Sequence, residues 1–213
     1  NQFVINIQQD QVDGVRALLV EQRLAQTTLF PMVRGRLAAV NGRAVSGEDY
    51  DDRGERARRL AEREFNLSAT ESFAEDNVAT DGRLWTADDL AQAQWSVEEG
   101  FAKSLGWHIG DRVAFDVGGQ RVEAPITSVR KLDWDSMRVN FFFIASPGVL
   151  EDYPATLITS FHLPAARHDF TTRLVAEFPN LTVIDTAAVI AQVQAMTDKL
   201  IVIVQFVFGF AVL

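Results

Sequence analysis

With 213 residues, 47% of them hydrophobic and 23% charged, the chain has the composition of a folded domain with a sizeable core, not of a disordered segment. Its 29 acidic side chains against 20 basic ones leave a net charge of −9. That balance argues against nucleic-acid binding and against a face laid on anionic lipid headgroups, and the absence of cysteine excludes disulfides and thiolate chemistry.

Phe3 to Ile7 alternates, with Phe3, Ile5 and Ile7 against Val4 and Asn6, and predicts a short strand. From Asp10, a predicted N-cap, the period changes, and Val12, Val15, Leu18 and Leu19 fall on one helical face. Pro31 breaks the chain, and Met32 to Val40 predicts a second strand ending at the turn Asn41-Gly42. Together these make a β-α-β unit. Asp49 to Phe65 is predicted as a helix with i,i+4 pairs Asp52–Arg56, Glu55–Arg59 and Arg58–Glu62. Its apolar stripe, Ala57, Leu60, Ala61 and Phe65, is narrow, and a solvated face accounts for it better than a partner-docking one. Leu67 to Phe73 predicts a strand. Ser96 to Leu105 predicts a short helix capped by Ser96, with Glu98 and Glu99 in its first turn and Gly106 as its stop.

Strands then follow at Val113–Val117 and Arg121–Lys131 around the turn Gly118-Gly119. Arg138 to Ile144 predicts a strand so aromatic, through Phe141, Phe142 and Phe143, that both faces must be covered. A strand over Thr156–Leu163, a helix over Thr171–Phe178 and a strand over Leu181–Ile184 come next, and Asp185 caps a final helix. The recurrence of strand, helix and strand at the two ends predicts an α+β fold. Two β-α-β lobes, residues 1–45 and 136–185, form one domain, a strand-rich unit over 46–135 is inserted, and a terminal helix covers 186–213.

The end of the chain is unlike the rest. Leu200–Leu213 carries no charge and one strongly polar side chain, Gln205, too apolar for a surface helix and shorter than the roughly 20 residues that cross a bilayer. Ahead of it, Val189, Val193, Met196 and Leu200 are spaced as a seam at heptad period. A helix with one apolar stripe that becomes apolar all round reads as a stalk leaving protein packing for lipid. The start at Asn1, without a signal-peptide pattern, fits a segment of a larger membrane protein. A chain ended after Lys199 should therefore be more soluble and more monomeric by light scattering. Equal association of both forms would remove this reading's main support.

Chemistry-bearing patterns are sparse. His108, His162 and His168 lack ligand spacing for zinc. There is no phosphate loop, no dinucleotide fingerprint and no nucleophile elbow. Asp133 and Asp135 flank Trp134 and could form an acid/base pair or bind calcium, but a strand-end turn explains them more simply. No residue is assigned a catalytic, cofactor or metal role.

Gly110-Asp111, Arg130 to Trp134, Asn140-Phe141-Phe142, Pro147-Gly148, Pro154, Ser160-Phe161 and the run from Phe178 to Val193 occur in an order that resembles the extracytoplasmic domain of FtsX-like ABC-transporter permeases. That group includes MacB and LolC/LolE, and the pattern is most similar to the large YbbP-type members with two periplasmic domains. The opening strand and helix also fit, and the likeness is weakest between Gly47 and Gln94. The resemblance implies that the two β-α-β lobes form a membrane-proximal porter subdomain and that the insert projects as a sabre subdomain. It implies a non-enzymatic permease of the bacterial inner membrane, with this domain in the periplasm and no cofactor. A separate cytoplasmic ABC ATPase would act through parts of the protein outside this chain. ATP hydrolysis would be coupled mechanically, along the stalk seam Val189, Val193, Met196 and Leu200, to export or extraction of a hydrophobic, lipid-like substrate. The alternative is a membrane-anchored recognition module that recruits a periplasmic partner protein.

Overall fold

The computed structural model describes residues 1–167 and 169–210, with side chains described as far as Lys199. The fold is mixed α+β. Strand β1 (Gln2–Ile7) leads through a short 3-10 turn at Gln9–Gln11 into helix α1 (Val12–Glu21), and the chain returns along β2 (Phe30–Val40). Near the other end, β10 (Thr156–Phe161), α4 (Asp169–Glu177) and β11 (Thr182–Asp185) repeat that order. The two units interleave in one sheet, in the order β11-β1-β10-β2, with every neighbouring pair antiparallel. This is the split β-α-β arrangement, in which each unit places its second strand beyond a strand of the other.

Alternation along the strands decides which face the helices cover. Val4, Ile7, Leu157 and Phe161 point to one side and pack with Val15, Leu18, Leu19, Phe170 and Leu174 of α1 and α4. The opposite face of the same sheet, with Phe3, Ile5, Ile158 and Thr182, carries neither of these helices. A bulge falls between Val4 and Ile7, where Asn6 has φ 69°. Asn180 closes it by donating to the Asn6 carbonyl at 2.9 Å, while the Asn6 amide donates to the Asn180 carbonyl at 3.0 Å.

The intervening chain builds a second layer of structure on β2. It contains the two-residue β3 (Arg43–Ala44), α2 (Glu55–Glu62), β4 (Glu64–Ala69), β5 (Val78–Gly82), β6 (Trp95–Glu98), α3 (Glu99–Leu105), β7 (Arg112–Val117), β8 (Gln120–Lys131) and β9 (Phe143–Ala145). Pairing runs β2 to β4, β4 to β9, β9 to β6, β6 to β8, β8 to β7 and β7 back to β2. The six strands close on themselves as a small barrel, which removes free edges. Period-two alternation aims Val33, Phe65, Leu67, Trp95, Val97, Phe115, Ile126 and Phe143 into one core, joined by Phe101 and Leu105 from α3. Strand β2 serves both parts. Phe30–Met32 pairs with β10, Val33–Arg36 with β4, and Arg36–Val40 with β7.

Several expected elements differ. The helix expected over Asp49–Phe65 is a 3-10 segment, Gly47–Arg53, then α2, and Phe65 lies in β4. Gly54, at φ 92° and ψ 165°, breaks the helix, and Arg63 is already extended. Of the expected pairs, Arg58–Glu62 and Arg59–Glu55 form at 3.3 and 3.9 Å, and Arg58 also meets Asp51. Ser96 is not a cap but a buried strand residue. The α3 cap is Glu98, whose carboxylate accepts from the backbone N–H groups of Gly100 and Phe101. The expected stop holds, with Gly106 left-handed at φ 69°. The strand expected over Arg138–Ile144 shrinks to Phe143–Ala145. Strand β9, which falls within the expected second lobe, pairs in the barrel. The strand β5 was not anticipated.

Candidate functional site

The final helix α5 (Thr186–Phe210) starts directly from β11. Its first turn is held at two points. The Thr186 backbone N–H and hydroxyl both donate to the Asn1 carbonyl, at 3.0 and 2.9 Å, and the Asp185 carboxylate accepts from the Ala187 N–H at 2.9 Å. Asp185 thus caps the helix as its position suggested. Beyond that root the helix leaves the domain. Val189, Val193 and Met196 are 49%, 58% and 58% exposed, so these three side chains find no cover among the described residues. The Leu200 side chain, and with it the apolar run to Leu213, lies outside the described side chains. Among the described residues no helix is long and apolar enough to cross a membrane.

On the face of the four-stranded sheet opposite α1 and α4 lies an open cleft of about 980 Å³. It is lined by Ile5, Thr156 and Thr182 of the sheet, by Arg34 and Glu64, paired at 3.2 Å, and by Gly118 and Gln120 at the β7–β8 turn. A second hollow shares Met32 with it and brings together Phe3, Ile158, Phe142 and the 51%-exposed Trp134. The mixed polar and apolar lining, with its exposed ion pair, offers binding surface.

The residues singled out for chemistry are scattered. Asp133 accepts from the Asp135 N–H at 3.0 Å and opens the single 3-10 turn Trp134–Ser136, the strand-end turn expected there. His108 is exposed, 4.0 Å from the Asp111 carboxylate, and His162 is exposed elsewhere. His168 lies outside the described residues. Among the described residues no three metal-ligating side chains of His, Asp or Glu gather.

A different residue commands the interior. Arg130 on β8 is fully buried. Its Nη1 donates to the Ser96 carbonyl at 2.7 Å and to the Ser96 hydroxyl at 3.3 Å, its Nε donates to Asn77 Oδ1 at 3.0 Å, and its Nη2 donates to the Phe141 carbonyl. Burial pushes its pKa down to about 9, partly offset by the charge of Glu98, so it stays a cation at neutral pH. One guanidinium thereby ties together β6, β8, the approach to β5 and the approach to β9. Arg130 belongs to the motif that carried the resemblance, but its role had no local signal.

The chain is 34% identical over 195 residues, 91% of its own length, to the uncharacterized ABC transporter permease YbbP of Escherichia coli K12. This is a domain of ABC-transporter-permease type. The match bears out the resemblance drawn from the motifs, and it spans nearly the whole chain. The chain covers 22% of the length of that permease. No protein-family model matches it.

Proposed function

We propose that this chain is the extracytoplasmic domain of an inner-membrane ABC-transporter permease that works by mechanical transmission. A separate cytoplasmic ATPase supplies the motion, and α5 carries it to a periplasmic domain serving export or extraction of a hydrophobic substrate. On this reading the sheet with α1 and α4 is the membrane-proximal porter part, and the barrel is the projecting sabre part. The observation that carries the proposal is the stalk. Helix α5 is fixed to the sheet at its first turn and then presents Val189, Val193 and Met196 to the outside. An apolar heptad seam left without cover among the described residues calls for a neighbouring helix.

Val193→Asp tests this. Because Val193 is exposed here, the substitution should leave the stability of the isolated domain within about 0.5 kcal/mol. In the full-length permease with its ATPase the same charge would enter a packed contact at a cost of several kcal/mol. ATP binding should persist while transport-dependent phenotype is lost. Wild-type function in a stably expressed Val193→Asp protein would overturn transmission along this seam and favour a module that only recruits a partner.

A further inference from the structure

The four-stranded sheet and the barrel share one strand, β2, and a single shared strand leaves twist between the two parts weakly fixed. A small apolar core adds a second contact. Phe141 and Ile144 pack there with Phe30, Met32 and Ile158, and Phe30 and Phe141 meet edge to face at 6.3 Å. A third, polar connection runs beside it. The Asn1 carbonyl holds the first residue of α5, and the Asn1 side-chain amide donates to the Met137 carbonyl at 3.1 Å. Met137 sits left-handed, φ 55°, at the end of the Asp133-capped turn. The neighbouring Ser136 hydroxyl donates to Asp76 at 3.0 Å, and the Arg138 guanidinium lies 3.5 Å from the other oxygen of the same carboxylate. Asp76 side-chain exposure is only 11%. Next to it, Asn77 accepts from the buried Arg130 inside the barrel wall.

We infer that Asn1, the turn 133–138 and Asp76 form a relay that locks the barrel's orientation to the root of α5. Each link joins residues distant in sequence. Asn1 and Met137 are 136 positions apart, and Ser136 and Asp76 are 60 apart. The connection is therefore a tertiary brace and not a by-product of local turns. The path from Thr186 to Arg130 alternates these hydrogen bonds with the chain links Ser136–Met137 and Asp76–Asn77. Its use in transport rests on the function proposed above. The brace itself is a property of the chain alone.

The absence of native cysteine makes the test direct. Spin labels at Gln194→Cys on α5 and Arg121→Cys on the barrel, both exposed, report the separation of the two parts by electron–electron dipolar spectroscopy. The parent should give one narrow distance distribution. Asp76→Ala and, separately, Ser136→Ala should each broaden it about twofold while circular dichroism shows a folded domain, because the loss of fixed contacts appears as a wider ensemble. Ser136→Ala removes one hydroxyl, so it remains informative if Asp76→Ala fails to fold. A control, Asp135→Asn at the outer side of the same turn, should leave the width unchanged. Unchanged widths in Ser136→Ala would overturn the relay. That result would leave the permease reading untouched, since Val193→Asp tests it in the full-length protein.

Discussion

Replacing Arg130 by alanine is expected to cost the domain about 3–5 kcal/mol, because it strands buried acceptors and opens a cavity. The Asn77 amide oxygen, the Ser96 carbonyl, the Ser96 hydroxyl and the Phe141 carbonyl all lose the bond that Arg130 donates. The Ser96 hydroxyl still accepts from the Ser128 hydroxyl at 2.7 Å, and Ser96 stays paired in β6 with β8 and β9. Arg130→Met should lose less, since a side chain of similar length fills the space and the cost of burying a cation disappears with the charge. Thermal unfolding should register the alanine change as a fall on the order of 10 °C, at a few degrees per kcal/mol for a domain of this size. The effect should be flat between pH 5 and 8. A base whose folded-state pKa is lowered to about 9 is charged in both folded and unfolded states below that pH. Its burial penalty is therefore constant there and is relieved only as pH rises past 9. A loss below about 1 kcal/mol in urea titrations of Arg130→Ala would show that water replaces the guanidinium without penalty.

Signals confined to one or two turns mostly hold in the structure, although Asp10, the expected N-cap, lies inside the 3-10 turn ahead of α1, and features that depend on distant pairing leave no such signal. The hairpin β7–β8 announced itself through alternation on both sides of Gly118-Gly119, both of which have positive φ. Helix α4 and the Gly106 stop were equally legible, because their signals lie within one or two turns. Phe65 failed as a helical residue for a tertiary reason. It follows Ala61 at helical spacing, but it pairs opposite Gly35 and points into the barrel, and burying it there outweighs extending α2. Ser96 failed similarly. A serine before two glutamates looks like a cap, yet it alternates with Trp95 and Val97 and finds its polar partners on β8. The members of the relay, Asn1, Asp76 and Asn77, carry no local pattern at all. Their significance comes from residues between 53 and 136 positions away. The stalk seam lies between these cases. Its period is visible in the sequence, and the exposure of Val189, Val193 and Met196 is not.

Phe143→Ala is expected to be the most damaging change in the aromatic strand, costing about 3–5 kcal/mol. Its ring is fully buried and lies 4.8, 4.9 and 5.2 Å from the rings of Phe101, Phe115 and Phe65, all edge to face, with Trp107 at 5.8 Å. These neighbours come from α3, β7, β4 and the loop after α3, so the ring is the common contact of the barrel wall and its covering helix. Closure makes the loss hard to heal. Strands β4 and β6 on either side of β9 are fixed by their own pairings, and they cannot collapse into the cavity without breaking the ring of hydrogen bonds. Phe142, one residue earlier, lies at the margin of the same core, with its ring 5.7 Å from that of Phe101. It is half-buried, tilted against Trp134 at 5.4 Å with the Arg63 guanidinium 5.6 Å from its ring, and its removal should cost about 1 kcal/mol. Measuring both by chemical denaturation separates core from surface along three consecutive phenylalanines. Equal losses at the two positions would mean that Phe142 is also sequestered in solution, by something that covers the Trp134 hollow. A large loss at Phe143 alone fits a barrel that holds its shape as a rigid body, as the proposed transmission along α5 requires.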